Sequence, residues 1–216
     1  MAVAENRSVV NLGINTMHLG KRFNREWIFR NLDYTFQPSK IYAITGPNGS
    51  GKSTLLQVLW GQVPQFVGDL SYTHSSGEIP IDEIFKHIAI ATPYLDLIEE
   101  FTLSEHISFH FKLKQSRNGM GQEEILDKLR LTDSRHKHIA NFSSGMRQRV
   151  KLGLAFFTEA DLIFLDEPTT NLDSETNTWY HHELEKLPPH CTIFIASNQP
   201  DEYPAHSEII NILDFI

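Results

Sequence analysis

The stretch Gly46-Pro47-Asn48-Gly49-Ser50-Gly51-Lys52-Ser53-Thr54 constrains the fold more than any other part of the chain. It fits G-x-x-x-x-G-K-[ST], a loop that cradles phosphate groups between a strand and a helix. An apolar run, Ile41-Tyr42-Ala43-Ile44, precedes it, and the apolar helical run Leu55-Leu56-Gln57-Val58-Leu59-Trp60 follows. Gly46, Gly49 and Gly51 admit backbone angles that turn successive N–H groups inward, forming an anion-binding nest. A helix beginning near Ser53 adds its positive dipole end. In such a loop the lysine, here Lys52, reaches the β- and γ-phosphates, and the Ser53 hydroxyl ligates Mg²⁺. A glycine-rich turn that binds nothing has no need of every fixed motif position in the right context. The sequence therefore predicts a nucleoside triphosphate site made by Gly46, Asn48, Gly49, Ser50, Gly51, Lys52, Ser53 and Thr54.

Around this loop the pattern alternates between strand and helix. Val9–Ile14 and Ile28–Phe36 are β-branched and aromatic, separated by the polar segment 20–26, which predicts an antiparallel layer ahead of the first nucleotide-binding strand. Gln37-Pro38-Ser39-Lys40 is the turn into that strand. The helix after the loop should end at Gly61, with Pro64 beyond it. Residues 68–78 read as mixed strand and turn, and Ile88-Ala89-Ile90-Ala91 as a short buried strand stopped by Thr92-Pro93. Thr102-Leu103-Ser104-Glu105 is a capping box opening a helix whose apolar face is Ile107, Phe111 and, less regularly, Phe109 and Leu113. A further helix spans about Gln122 to Leu129. Leu162-Ile163-Phe164-Leu165, Thr192-Ile193-Phe194-Ile195-Ala196 and Ile209-Ile210-Asn211-Ile212 run apolar without alternation, as strands covered on both faces do. A helix from about Ser174 to Leu187 lies between the first two. The block 95–160 reads all-helical, as an inserted helical subdomain, with 1–94 and 161–216 forming the core of a single domain.

Composition narrows the classes. A net charge of −8 argues against a nucleic-acid binder that relies on a broad basic surface. One cysteine, Cys191, permits no internal disulfide and points to a reducing, intracellular setting. The segment Met1–Arg7 lacks the basic and apolar regions of a signal peptide, and no run is long enough to span a membrane, so the chain is expected to be soluble by itself. The closest groupings of its 11 histidines, His136 with His138 and His181 with His182, lack zinc-site spacing and read as solvated surface residues.

Leu165-Asp166-Glu167-Pro168 closes a buried strand with two acids. In phosphate-loop ATPases an Asp at such a strand end holds Mg²⁺, and a second carboxylate can orient or deprotonate the attacking water. Asp166 is thus the predicted metal residue beside Ser53, and Glu167 the predicted base. Earlier in the chain, about 20 residues before this pair, Asn141-Phe142-Ser143-Ser144-Gly145-Met146-Arg147-Gln148-Arg149 is similar to the Leu-Ser-Gly-Gly-Gln signature of ATP-binding cassette transporters. Thr169-Thr170-Asn171-Leu172-Asp173 matches the D-loop that follows the catalytic glutamate in that family. The chain resembles the family's nucleotide-binding subunit over nearly its whole length, and its Ser-Gly-Met-Arg-Gln-Arg wording resembles the branch serving exporters.

The resemblance implies an α/β fold: a P-loop NTPase core with a mostly parallel sheet, an N-terminal antiparallel β layer and an inserted α-helical subdomain. It implies ATP and Mg²⁺ as cofactors and Phe23 as the aromatic that stacks on adenine. It places Ser143, Gly145 and Asp173 across a homodimer or heterodimer interface, against nucleotide held by the other chain's phosphate loop. It also implies a separate transmembrane transporter subunit as partner, at the cytoplasmic face of the cell membrane. A cassette protein acting on nucleic acid fits poorly, lacking a second cassette and a basic surplus.

Two family positions differ. Where the family has a Gln that contacts Mg²⁺ and reports on the γ-phosphate, this chain has Pro93, and no Gln or Asn occurs between 66 and 114. Where the family ends a strand with Thr-His-Asp, this chain has Ser197-Asn198-Gln199. Asn198 can donate a hydrogen bond to phosphate but cannot carry a proton or a positive charge. The chain is expected to hydrolyse ATP slowly, with Glu167, Lys52 and Asn198 as the catalytic set. The alternative is a nucleotide-switched binding module with little or no hydrolysis.

Overall fold

The computed structural model describes residues 11–216; Val9, Val10 and the Met1–Arg7 segment lie outside the described residues. The chain begins with a long hairpin, β1 (Gly13–Phe23) and β2 (Glu26–Phe36). The polar segment 20–26 is therefore mostly strand, and only Asn24 and Arg25 turn the chain, with Phe23 opposite Glu26. Asn24 takes φ +53°, which asparagine tolerates better than other side-chain-bearing residues. The expectation that 20–26 separates the strands fails because Lys21 and Arg22 cover apolar neighbours with their stems: Lys21 lies over Phe23 and Arg22 over Phe66. β4 (Val67–His74) and β5 (Gly77–Ile79) complete an antiparallel sheet in the order β2-β1-β4-β5.

The second sheet is parallel throughout, in the order β6-β7-β8-β3-β9. Its strands are β3 (Ile41–Thr45), β6 (Ile88–Ala91), β7 (Leu162–Asp166), β8 (Thr192–Ala196) and β9 (Glu208–Asn211). Every residue of β7 and β8 is buried, which is why those strands show no polar alternation in sequence. Successive side chains still alternate between faces. Leu162, Phe164, Phe194 and Ala196 join the core shared with the antiparallel sheet and with helix α1 (Lys52–Leu59). Ile163, Leu165, Ile193 and Ile195 join the core on the other face. The first core is stitched by rings: Phe36 to Tyr42 at 5.0 Å, Tyr42 to Phe194 at 5.4 Å, Phe194 to Phe164 at 4.9 Å and Phe164 to Trp60 at 5.5 Å. Offset and edge contacts of this kind add to the area term and fix the spacing between layers.

The other core runs without a break from β7 and β8 into helices α2 (Leu103–Leu113), α3 (Gln122–Lys128), α4 (Ser144–Phe157) and α5 (Ser174–Glu185). α2 opens with the capping box read from its sequence, Thr102 and Glu105 exchanging side-chain and backbone bonds. Its apolar face is narrower than expected. Leu103 and Ile107 are buried and Phe111 half-buried, whereas Phe109 and Leu113 point to solvent. The inward positions next to Ile107 are taken by His106, which is buried, and by half-buried His110, whose ring nitrogen bonds the Thr158 hydroxyl at 2.8 Å. The surface reading holds for the paired histidines at 136 and 138 but not for these two. Cys191 is buried, its thiol donating to Ala160 O at 3.2 Å, and burial pushes it up to about 11.

Candidate functional site

The C-terminal ends of β3, β7 and β8 lie side by side, because these strands are neighbours in one parallel sheet. Open α/β sheets bind ligands at that edge. β3 delivers the phosphate loop, in which Gly46, Gly49 and Gly51 take φ of +145°, +79° and +101°. Gly51 is the residue before α1, and a Cβ there would lie 2.3 Å from Ile28 Cγ2. The loop closes through Ser50 N–H donating to Pro47 O at 3.2 Å. Lys52 is buried, and its ammonium donates to Gly46 O at 3.0 Å and Pro47 O at 3.1 Å. The positive charge is thus held inside the curve of the loop, at the start of a helix whose first N–H groups are open to an anion.

β7 delivers two carboxylates. Asp166 is buried, with the Ser53 hydroxyl near enough to favour its charged form. Its Oδ1 is buried and has no hydrogen-bond partner. Burial pushes this carboxyl up to about 6; the Ser53 hydroxyl lowers it, the Glu167 charge raises it, Lys52 lowers it and Glu202 raises it. An orphaned carboxylate oxygen beside a serine hydroxyl fits a small divalent cation, which Mg²⁺ sites commonly take from one or two carboxylates with the remaining positions left to phosphate and water. Glu167 follows with φ +45°, in the left-handed region that is costly for a residue with a side chain. Its N–H donates to Ala196 O at 2.9 Å, which ties the end of β7 to the end of β8.

Ser197 follows the end of β8, and its N–H donates to Ile44 O at 3.1 Å. Asn198, exposed, then reaches the phosphate loop, its Nδ2 donating to Asn48 Oδ1 at 3.1 Å. The structure therefore brings together the loop 46–54, Asp166, Glu167 and Asn198. It leaves the other predicted residues elsewhere. Phe23 is 48 % exposed at the tip of the β1–β2 hairpin, next to the Lys21 ammonium at 4.9 Å. Ser143 is the N-cap of α4, its hydroxyl accepting from Met146 N–H at 3.2 Å. Asp173 caps α5 in the same way, accepting from Thr176 N–H at 2.8 Å, and those bonds hold its carboxyl below the usual range. Gly145 packs against the segment after β7, where a Cβ would meet Asn171 O at 3.0 Å. Among the described residues no hydrogen bond joins Ser143–Arg149 to the phosphate loop.

Three residues that the sequence reading did not single out for a role hold this site. Gln148 of α4 donates to Pro168 O at 2.9 Å. Lys151, one turn further, donates to Pro93 O at 2.8 Å and Thr92 O at 3.4 Å, so the segment after β6 is pinned to α4. Glu202 receives Thr169. For Gln148 and Lys151 an inward helical position was a visible signal; for Glu202 no sequence signal marked it out.

The match to known proteins is decided by residues 29–170, which fit the family described as ABC transporter. The chain belongs to the ABC transporter family. Within that family it is an ATP-binding component, and its parallel and antiparallel sheets are those of the family's ATPase fold. ATP-binding cassette sub-family A member 2 of Rattus norvegicus is 26% identical over 186 residues, 83% of this chain and 8% of its own length. An uncharacterized ABC transporter ATP-binding protein of Bacillus subtilis, YcbN, is 29% identical over 165 residues, 74% of this chain and 52% of its own length. This chain thus spans about half or less of those relatives. A putative ABC transporter ATP-binding protein from Pyrococcus furiosus superposes with a TM-score of 0.77 at 17% identity, covering 94% of this chain and 98% of that one. Among the described residues no helix is long and apolar enough to cross a membrane.

Proposed function

We propose that this ATP-binding component hydrolyses ATP with Mg²⁺ and drives a separate membrane-spanning partner from the cytoplasmic face. The observation that carries the reading is the orphaned Asp166 oxygen beside Ser53, with Glu167 next in sequence and the Lys52 charge acting on the same carboxyl. Ser53 and Asp166 would hold the metal, which supplies charge neutralisation on the phosphates. The loop N–H groups and Lys52 orient the triphosphate. Glu167 accepts a proton from water as the water oxygen bonds to the γ-phosphorus and the bridging P–O bond breaks.

Ser143, Gly145 and Asp173 serve a second nucleotide across a head-to-tail dimer, with another copy or a relative, the helices of 95–160 acting as the subdomain that carries them. Support comes from Ser143 and Asp173 standing at the N-termini of α4 and α5, Gly145 packing against Asn171 O, and the lack, among the described residues, of a hydrogen bond from Ser143–Arg149 to the phosphate loop. Phe23, exposed at a hairpin tip, stacks on the base. A partner surface is supported by the exposed apolar side chains Ile81, Phe85, Tyr94 and Leu95, which line one groove. Hydrolysis is slow, because Asn198 cannot take up charge; Asn198→His should turn over faster. The second reading, an ATP-switched binding module, is favoured by the engagement of Asn198 with Asn48 and of Pro93 with Lys151.

The test is phosphate release with Mg-ATP against protein concentration, with Glu167→Gln as the blank. The expected result is a rate per chain that rises with concentration and falls by about 10²–10⁴-fold in the variant. No release above the blank, with ATP still bound, would replace hydrolysis by the binding module.

A further inference from the structure

Glu202 has been given no catalytic role above beyond its charge raising the Asp166 carboxyl, yet it is 1% exposed. It ends the short 3₁₀ turn Pro200–Glu202 after β8. Its carboxylate accepts hydrogen bonds from the Thr169 backbone N–H at 3.1 Å and from the Thr169 hydroxyl. Its own carbonyl accepts from the Tyr180 hydroxyl at 2.7 Å, and its N–H donates to Gln199 O at 3.1 Å. Among the described residues no Lys, Arg or His forms an ion pair with it. A buried acid without a cation is costly unless its hydrogen bonds do something a neutral residue would not.

Thr169 lies just past Glu167, and Glu167 sits at φ +45°. Such a conformation persists only when the surroundings over-determine it. The ties around it are the Glu167 N–H to Ala196 O at 2.9 Å, the Gln148 amide to Pro168 O at 2.9 Å, the Thr170 N–H to Glu167 O at 3.2 Å, and the pair of bonds from Thr169 to Glu202. Only the last is a two-point attachment from one side chain. It grips the peptide leaving the strained residue, and it is anchored in turn to α5 through Tyr180.

We propose that Glu202 is a positioning residue for hydrolysis: it clamps Thr169 and so fixes the direction in which Glu167 presents its carboxylate. This rests on the reading that the chain hydrolyses ATP with Glu167 as base.

The experiment compares the full chain with Glu202→Ala, Glu202→Gln, Thr169→Val and the double variant Glu202→Ala/Thr169→Val. Turnover, KM, ATP affinity by calorimetry and amide hydrogen exchange over residues 167–171 are measured on each. Glu202→Ala should lower kcat by about tenfold to a hundredfold, the range a misplaced catalytic group costs, with KM and ATP affinity within about twofold. Glu202→Gln keeps an acceptor for the Thr169 N–H and should recover most of the rate. The double variant should be no slower than Glu202→Ala alone, because both remove one clamp. Exchange at 167–171 should speed up in Glu202→Ala and return toward the parent in Glu202→Gln.

Parental kcat in Glu202→Ala overturns the proposal, as does a joint loss of kcat and ATP affinity. Unchanged exchange over 167–171 overturns the clamp whatever the rates. If the parent itself releases no phosphate above Glu167→Gln, the hydrolysis reading fails and the catalytic half of this proposal goes with it, while the exchange result still decides whether the clamp exists.

Discussion

The phosphate loop and the end of β7 place their working groups by opposite means. The loop's backbone is held mainly from within. Its unusual backbone angles fall on glycines, and its internal bonds run from Ser50 to Pro47 and from Lys52 to Gly46 and Pro47. The end of β7 puts a comparable angle on Glu167, which has a side chain, and holds it with groups from β8, α4 and the turn after β8. An anion cradle needs only backbone N–H groups pointing one way, and a short sequence can dictate that. A carboxylate with the proposed role of meeting a particular water needs its direction fixed as well, and that takes contacts from distant parts of the chain.

The comparison can be broken from either side. Gly51→Ala should have the largest effect, about 2–3 kcal/mol lost in denaturant unfolding, because the residue must hold φ +101° and its Cβ would meet Ile28 at 2.3 Å. ATP affinity should fall with it. If the variant unfolds and binds ATP as the parent does, the loop is not dictated by its glycines. Gln148→Leu comes next. It leaves Pro168 O without its donor, and about 1–3 kcal/mol of stability should go, with turnover reduced and ATP affinity kept. An equal loss of affinity would mean that the two regions are not separately held. The smallest effect has the opposite sign: Glu167→Gly should gain about 1 kcal/mol by relieving the left-handed angle, while turnover disappears. A variant that is less stable than the parent would show that the Glu167 conformation carries no strain.

The same contrast decides what the sequence could show. The loop, the unalternating strands and the Thr102–Glu105 box are local patterns with one physical solution each, and they led directly to the parallel sheet with its antiparallel companion. The turn of the first hairpin was misplaced because Lys21 and Arg22 look polar in sequence but spread their stems over Phe23 and Phe66. Phe109 and Leu113 look apolar but face outward, since His106 and His110 have the inner positions. Asp166 and Glu167 could be read as a pair of acids at a strand end. Glu202 could not be read as their neighbour: it is 33 residues from Thr169, in a segment whose folding back depends on the order β7-β8-β3. Sequence periodicity speaks about faces of single elements and says nothing about which turn will meet which strand end.

The burial of Cys191 bears on how this molecule can be observed. Its thiol is enclosed, engaged with Ala160 O and pushed up to about 11, so it stays protonated and shielded from alkylating or maleimide reagents at neutral pH. Because it is the only cysteine, the native surface gives no background to thiol labelling. A single cysteine placed on the exposed tip near Phe23, or beside Ser143, would carry a dye without first removing anything. Mixing the two labelled forms would then test the proposed head-to-tail pairing, as energy transfer between the β1–β2 tip of one chain and the start of α4 in another, with and without ATP.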